Sequence, residues 1–129
     1  MNYTNTIKLA AALGAITVAI GAFGAHGLAP TLEKFGRVAT FETAVKYQFY
    51  HTLAIFLVGI LQSRTASNKA LHSSIYAFLI GIIVFSGSLY ILSTTGITWL
   101  GAITPFGGLA FIIGWILLFF GIKPKAGRS

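Results

Sequence analysis

Four long apolar stretches set the terms for this chain: residues 7–28, 44–61, 73–93 and 100–122. Each is near the ~20 residues a helix needs to cross a hydrocarbon core of ~30 Å. The second reaches that length only by taking in residues 44–46, because its uninterrupted apolar run starts at Tyr47. Only 9% of the 129 residues are charged, against about 25% in a typical soluble domain. With so little polar surface, the apolar runs must face lipid. The expected fold is all-α: one integral membrane domain over residues 1–129, built as a bundle of four transmembrane helices.

An alternative concerns the N-terminus. Lys8, the apolar run behind it and the small residues at 22–25 also fit a cleaved secretory signal. Against that reading, apolar character continues to Leu28 and more spans follow in place of a soluble domain.

Four spans bring both termini to one side. Lys8, Arg64, Lys69, Lys123, Lys125 and Arg128 lie there, six cations against Lys34, Arg37 and Lys46 on the other side. The excess of Lys and Arg places the termini in the cytoplasm of a cell-membrane protein. The net charge of +7 therefore points to anionic lipid headgroups rather than nucleic acid. The chain has no cysteine, which removes thiol catalysis and Cys-based metal sites.

Burying leucine cannot hold helices together in lipid, but close backbone approach through small residues can. Small residues recur every seven positions: Ser74, Gly81 and Ser88 in the third span, Gly107, Gly114 and Gly121 in the fourth, and Thr52 and Gly59 in the second. That spacing keeps one seam turned toward a partner in left-handed packing. In the first span, Leu9, Leu13, Ile16, Ile20 and Phe23 form a bulky stripe suited to lipid. Ala12, Ala15, Ala19 and Ala22 form a second stripe ending on His26, and Gly14 and Gly21 lie on a third face. Two small faces predict two helix neighbours. A homo-oligomer or another membrane protein is the expected protein partner. Thr104-Pro105 predicts that the last regular helix begins near Pro105, with residues 99–104 as a bent lead-in and Trp99 as an interfacial anchor. Trp115 lies deeper, where its indole N–H requires an acceptor.

Polar side chains concentrate in residues 41–51. Glu42 and Lys46 stand four apart in the favourable order, as expected of an interfacial ion pair. Gln48 and His51 project from nearly the opposite side of the same helix. Ionisable groups within a membrane usually face protein or water, so His26, Gln48 and His51 are the candidate polar cluster if the first two helices are antiparallel neighbours. His72 belongs at the other membrane face, so the three histidines cannot share a metal. His26, His51 and Glu42 lie on differing faces, and no metal or cofactor is expected. No phosphate loop, zincin pattern or nucleophile elbow is present.

The stretches GAFGAHGL at 21–28, FETAVKYQFYHTLA at 41–54, FSGSLY at 85–90 and GAITPFGGLAFIIGW at 101–115 together resemble the domain of unknown function 423 family. These are small bacterial membrane proteins with eukaryotic relatives. The resemblance implies four transmembrane helices in the cell membrane and no established reaction or catalytic residue. Three functions stay open. The first is a non-enzymatic accessory or scaffold protein acting through helix contacts. The second is a small proton-coupled or small-molecule transporter using His51. The third is a membrane-embedded enzyme using Glu42, His26 and His51 for acid–base chemistry.

Overall fold

The computed structural model describes residues 1–66 and 68–124; Lys125 and Arg128 of the charge count lie outside them. Four helical rods are long and apolar enough to cross a membrane: Tyr3–Ala25, Val38–Arg64, Lys69–Thr95 and Thr98–Gly121. The first is α1, closed at its start by Asn2, whose side chain accepts from the backbone of Asn5 at 2.8 Å. Between the first two rods lies a short helix missing from the sequence reading, α2 (Ala29–Phe35). Pro30 suits its first turn, and Gly36 ends it in the left-handed region at φ 66°. Leu32 on α2 is 2% exposed, so packing rather than intrinsic propensity sustains seven residues of helix.

The second rod, α3 (Val38–Arg64), begins about two turns before the apolar run does and holds the 41–46 segment on the same helix. Its 27 residues span about 40 Å, so the ends project past the hydrocarbon. The third rod joins α4 (Lys69–Gly81) to α5 (Gly87–Thr95) through a π-helical turn at Ile82–Ser86. There the Gly87 N–H reaches back to the Ile82 carbonyl. Gly96, at φ 74°, stops α5. A 3-10 turn at Thr98–Ala102 then leads into α6 (Thr104–Gly121), with Pro105 in its first turn. Trp99 on that lead-in is exposed.

Helix α1 packs on α3, α6 packs on α4 and the π turn, and α3 also meets α5. Thus α1 and α6 flank a central pair. Small residues determine how closely these rods approach. Gly107, Gly114 and Gly121 are buried and face Phe85, Phe78 and Leu71 respectively, residues that themselves recur every seven positions. Gly81 receives Phe111 in return, and Gly59 receives Ile7 and Thr6. Ser74 and Ser88 are buried on the third rod. Gly14 stands opposite Thr52 and Gly21 opposite Val45.

The first rod corrects two expectations. Its buried face is Thr6, Ala10, Thr17 and Gly24, and the partly buried Leu13, assigned to lipid on the sequence pattern, packs against the core. Ala12, Ala15, Ala19 and Ala22 are all exposed. One small face serves one long neighbour, because α1 lies on the flank; the alanine stripe has no helix neighbour among the described residues.

Candidate functional site

His51 sits thirteen residues from either end of α3, at the middle of its rod. Nδ1 lies 2.7 Å from the Tyr47 carbonyl, one helical turn back. The Trp115 indole N–H on α6 donates to Nε2 at 3.0 Å. A carbonyl can only accept and an indole N–H can only donate. These partners therefore assign the neutral imidazole, with its proton on Nδ1. The sequence left the Trp115 acceptor unnamed, and His51 supplies it.

The ring is also held flat against Phe111, with centroids 3.6 Å apart and planes 11° from parallel. Phe78 approaches from α4 at 5.5 Å. Tyr47 completes the group, 4.6 Å from Phe85. Both ring nitrogens are occupied, Phe111 covers one face, and the ring also lines a cleft beside Tyr47, Phe85 and Trp115. In this arrangement neither ring nitrogen carries a free lone pair, and the Trp115 bond joins α3 to α6.

Gln48 is buried but faces elsewhere. Its side-chain oxygen accepts from the Tyr90 hydroxyl on α5, and the Phe41 ring lies 5.2 Å from that of Tyr90. Ser86 in the π turn donates to the Ala44 carbonyl at 2.8 Å, and Ser88 pairs with Thr104 at 2.7 Å. The second, third and fourth rods are thus tied to one another by side chains, and on the first rod Thr6 donates to the Gln62 side-chain oxygen of α3 at 2.8 Å. Among the described residues, every buried side-chain nitrogen and oxygen has a partner. Tyr90→Phe would leave the Gln48 oxygen unmatched, and unfolding in detergent should show a loss of about 1 kcal/mol.

The structure does not bring His26 to the other two members of the expected cluster. His26 is the exposed C-cap of α1, level with the start of α3, since the Gly24 position abuts Phe41. From there to His51 is about 15 Å or more along the helix axis. Antiparallel pairing of the two helices does occur, but His26 lies beyond the end of the rod while His51 lies at its centre. Glu42 and Lys46 are both exposed, and among the described residues no ion pair joins them. They share with Glu33 the edge of a groove of ≈ 590 Å³ between α1, α2 and α3. The cleft that His51 lines, also ≈ 590 Å³, lies between α3, the π turn and α6, with Tyr47, Phe85, Phe111 and Trp115 among its other lining residues. Among the described residues, no three His, Asp or Glu side chains gather as metal ligands.

Comparison with known proteins agrees with this architecture. The model of a family described as "Protein of unknown function (DUF423)" matches residues 20–108. The chain is 44% identical over 117 residues to the UPF0382 membrane protein YwdK of Bacillus subtilis, covering 87% of this chain and 94% of that protein. It is 43% identical over 125 residues to the UPF0382 membrane protein SAB0533 of Staphylococcus aureus, covering 94% and 100%. It is 39% identical over 112 residues to the UPF0382 inner membrane protein YgdD of Escherichia coli, covering 87% and 84%. No solved structure matches it.

Proposed function

The chain belongs to the DUF423 family of membrane proteins, and from that premise we propose that it is a non-enzymatic accessory or scaffold protein that acts by docking α1 against a second transmembrane helix. The observation that carries this reading is the exposed run of Ala12, Ala15, Ala19 and Ala22. Small side chains let a partner backbone approach closely, which is the main way helices associate in lipid. The saturated His51 supports the same reading, since a proton carrier needs an ionisable group with access to protons.

The proposed setting is the cell membrane with cytoplasmic termini. The inner-membrane name of the Escherichia coli relative supports the membrane. For the orientation, Lys8, Arg64, Lys69 and Lys123 lie at the end where the termini sit. Each cation adds about 1 kcal/mol of attraction to anionic lipid near the surface.

Because the chain has no cysteine, a single introduced thiol reports proximity without background. Ala15→Cys carrying a thiol-attached photo-crosslinker is expected to give a cross-linked product in native membranes. Ile83→Cys with the same label, at a 70% exposed site on the π turn of the third rod, should not. A monomeric Ala15→Cys product, or equal cross-linking from both sites, would overturn the reading.

A further inference from the structure

Helices α3 and α6 run in the same direction, both starting at the membrane surface away from the termini, here the far surface. Because α6 rests on α4 and the π turn, a space is left between it and α3, and that space is the cleft of ≈ 590 Å³. Its lining reaches from Pro105, in the first turn of α6, to Trp115 ten residues further on. Ten residues of helix rise about 15 Å, half of a hydrocarbon core of ~30 Å. The inner end is the bond between Trp115 and His51, at the middle of α3. The cleft therefore traverses one leaflet, from the far surface to the midplane, and stops there.

Its section decides what can lie in it. Spread over that length, ≈ 590 Å³ amounts to about 40 Å² in section, roughly half of what a helix about 10 Å across occupies. Gly108 keeps the cleft open: a Cβ there would meet only the Phe85 ring, at 3.8 Å. The lining is apolar apart from His51, whose nitrogens are already bonded, Trp115, whose N–H is given to His51, and Tyr47. Among the described residues the Tyr47 hydroxyl makes no hydrogen bond, whereas that of Tyr90 is given to Gln48. Long side chains on a helix point back toward its N-terminus, which for α3 is the far surface. This donor thus stands in the outer part of the cleft, where leaving it without an acceptor costs free energy. The ester carbonyls of a lipid are acceptors on that side.

We propose that this cleft binds one acyl chain of a far-leaflet phospholipid, with an ester carbonyl accepting from Tyr47 and the chain running past Gly108 and Phe111 to the His51–Trp115 bond. A chain one leaflet long fits the length, and the section is too narrow for a partner helix. Bound there, the chain completes the packing between α3 and α6 that side chains leave open. The site rests on the membrane setting alone and is independent of the proposed role of α1 in docking.

Trp115 lines the cleft and becomes the sole indole reporter in a Trp99→Phe background, since the chain has two tryptophans. The full chain in that background, purified in mild detergent and stripped of lipid, is titrated with phosphatidylcholine carrying bromines on its acyl chain, which quench indole fluorescence on contact. Quenching should saturate near one lipid per protein. Gly108→Leu fills the cleft from a position with room for the new side chain. It should raise the lipid needed by about tenfold or more, with quenching then following only the share of brominated lipid in the micelle. Tyr47→Phe should weaken binding about threefold, the equivalent of one hydrogen bond within a membrane. Far-UV circular dichroism verifies that both variants fold. Identical titrations with and without Gly108→Leu would overturn the proposal, as would quenching that never saturates. A dimer in native mass spectra whose Trp115 resists quenching would overturn it too, by placing a partner helix over the cleft.

Discussion

Replacing Gly107 with alanine should cost about 3 kcal/mol, near the upper end of what one buried methyl group does in a packed interface. The reason is what the methyl would meet. A Cβ at Gly107 would stand 2.3 Å from the Phe85 backbone nitrogen and 2.7 Å from its Cα. Side chains can rotate away from an intruder, but these atoms belong to the π turn and move only if two rods separate. Gly114 and Gly81 are also tight, yet their nearest atoms are phenylalanine ring carbons, which have more room to yield. Gly87, with nothing within 4 Å of its would-be Cβ, is the internal comparison. Gly87→Ala should be neutral or stabilising by up to about 1 kcal/mol, because alanine favours helix. Unfolding midpoints in mixed detergent would rank the variants. Equal midpoints for Gly107→Ala and Gly87→Ala would refute the close approach.

His51→Ala should be comparably damaging, at about 3 kcal/mol, and its components can be separated. Loss of the ring leaves a void beside Phe111 and Phe78 and removes the flat stack at 3.6 Å. Truncations of this kind cost about 2–5 kcal/mol in well-packed cores. The Trp115 N–H also loses its acceptor, but single hydrogen bonds within membranes average only about 0.6 kcal/mol. Packing should therefore outweigh the hydrogen bond. A double-mutant cycle of His51→Ala with Trp115→Phe should give a coupling of about 1 kcal/mol or less, with most of the loss remaining when Trp115 is already changed. A coupling equal to the whole His51→Ala effect would reverse that order and make the hydrogen bond the main tie.

Much of the fold was legible because lipid simplifies the problem. An apolar run long enough to span must be a helix, since only a helix satisfies every backbone group within one segment. Hence four rods could be counted directly, and Pro105 marked the start of α6 closely. Rod ends were harder to read. Residues 41–46 look polar, yet they continue α3 outward because a helix can leave the membrane without stopping. Helix α2 escaped notice because seven residues carry little periodicity and depend on Leu32 finding a core. The pairing of small with bulky residues was half visible: the glycines of α6 were found by their spacing, but Leu71, Phe78 and Phe85, the side chains that fill them, lie on another rod at the same spacing.

The polar groups illustrate a different limit. Helix phase alone separated Glu42 and Lys46 from Gln48 and His51, but no pattern within one helix says what stands opposite. Tyr90 and Trp115, the partners of Gln48 and His51, come from α5 and α6. The exposed alanine stripe was misplaced for the same reason: which small face of α1 meets α3 depends on Phe41, Thr52 and Val45. Ala10, Thr17 and Gly24 of the buried face also recur every seven positions, the same spacing that marks the seams of the other rods.

The π turn in the third rod has a consequence for how such a chain tolerates changes in length. One surplus residue in a helix rotates everything after it by about 100° relative to an unbroken α-helix. Here that rotation lets α4 turn toward α6 while α5 turns toward α2 and α3. Deleting any single residue from Ile82–Ser86 would restore regular winding and swing Ser88, Leu89 and Leu92 off their present partners, leaving composition and hydropathy almost untouched. A homologue shorter by one at this point could thus read as an equally good membrane protein while presenting a different flank to its neighbours.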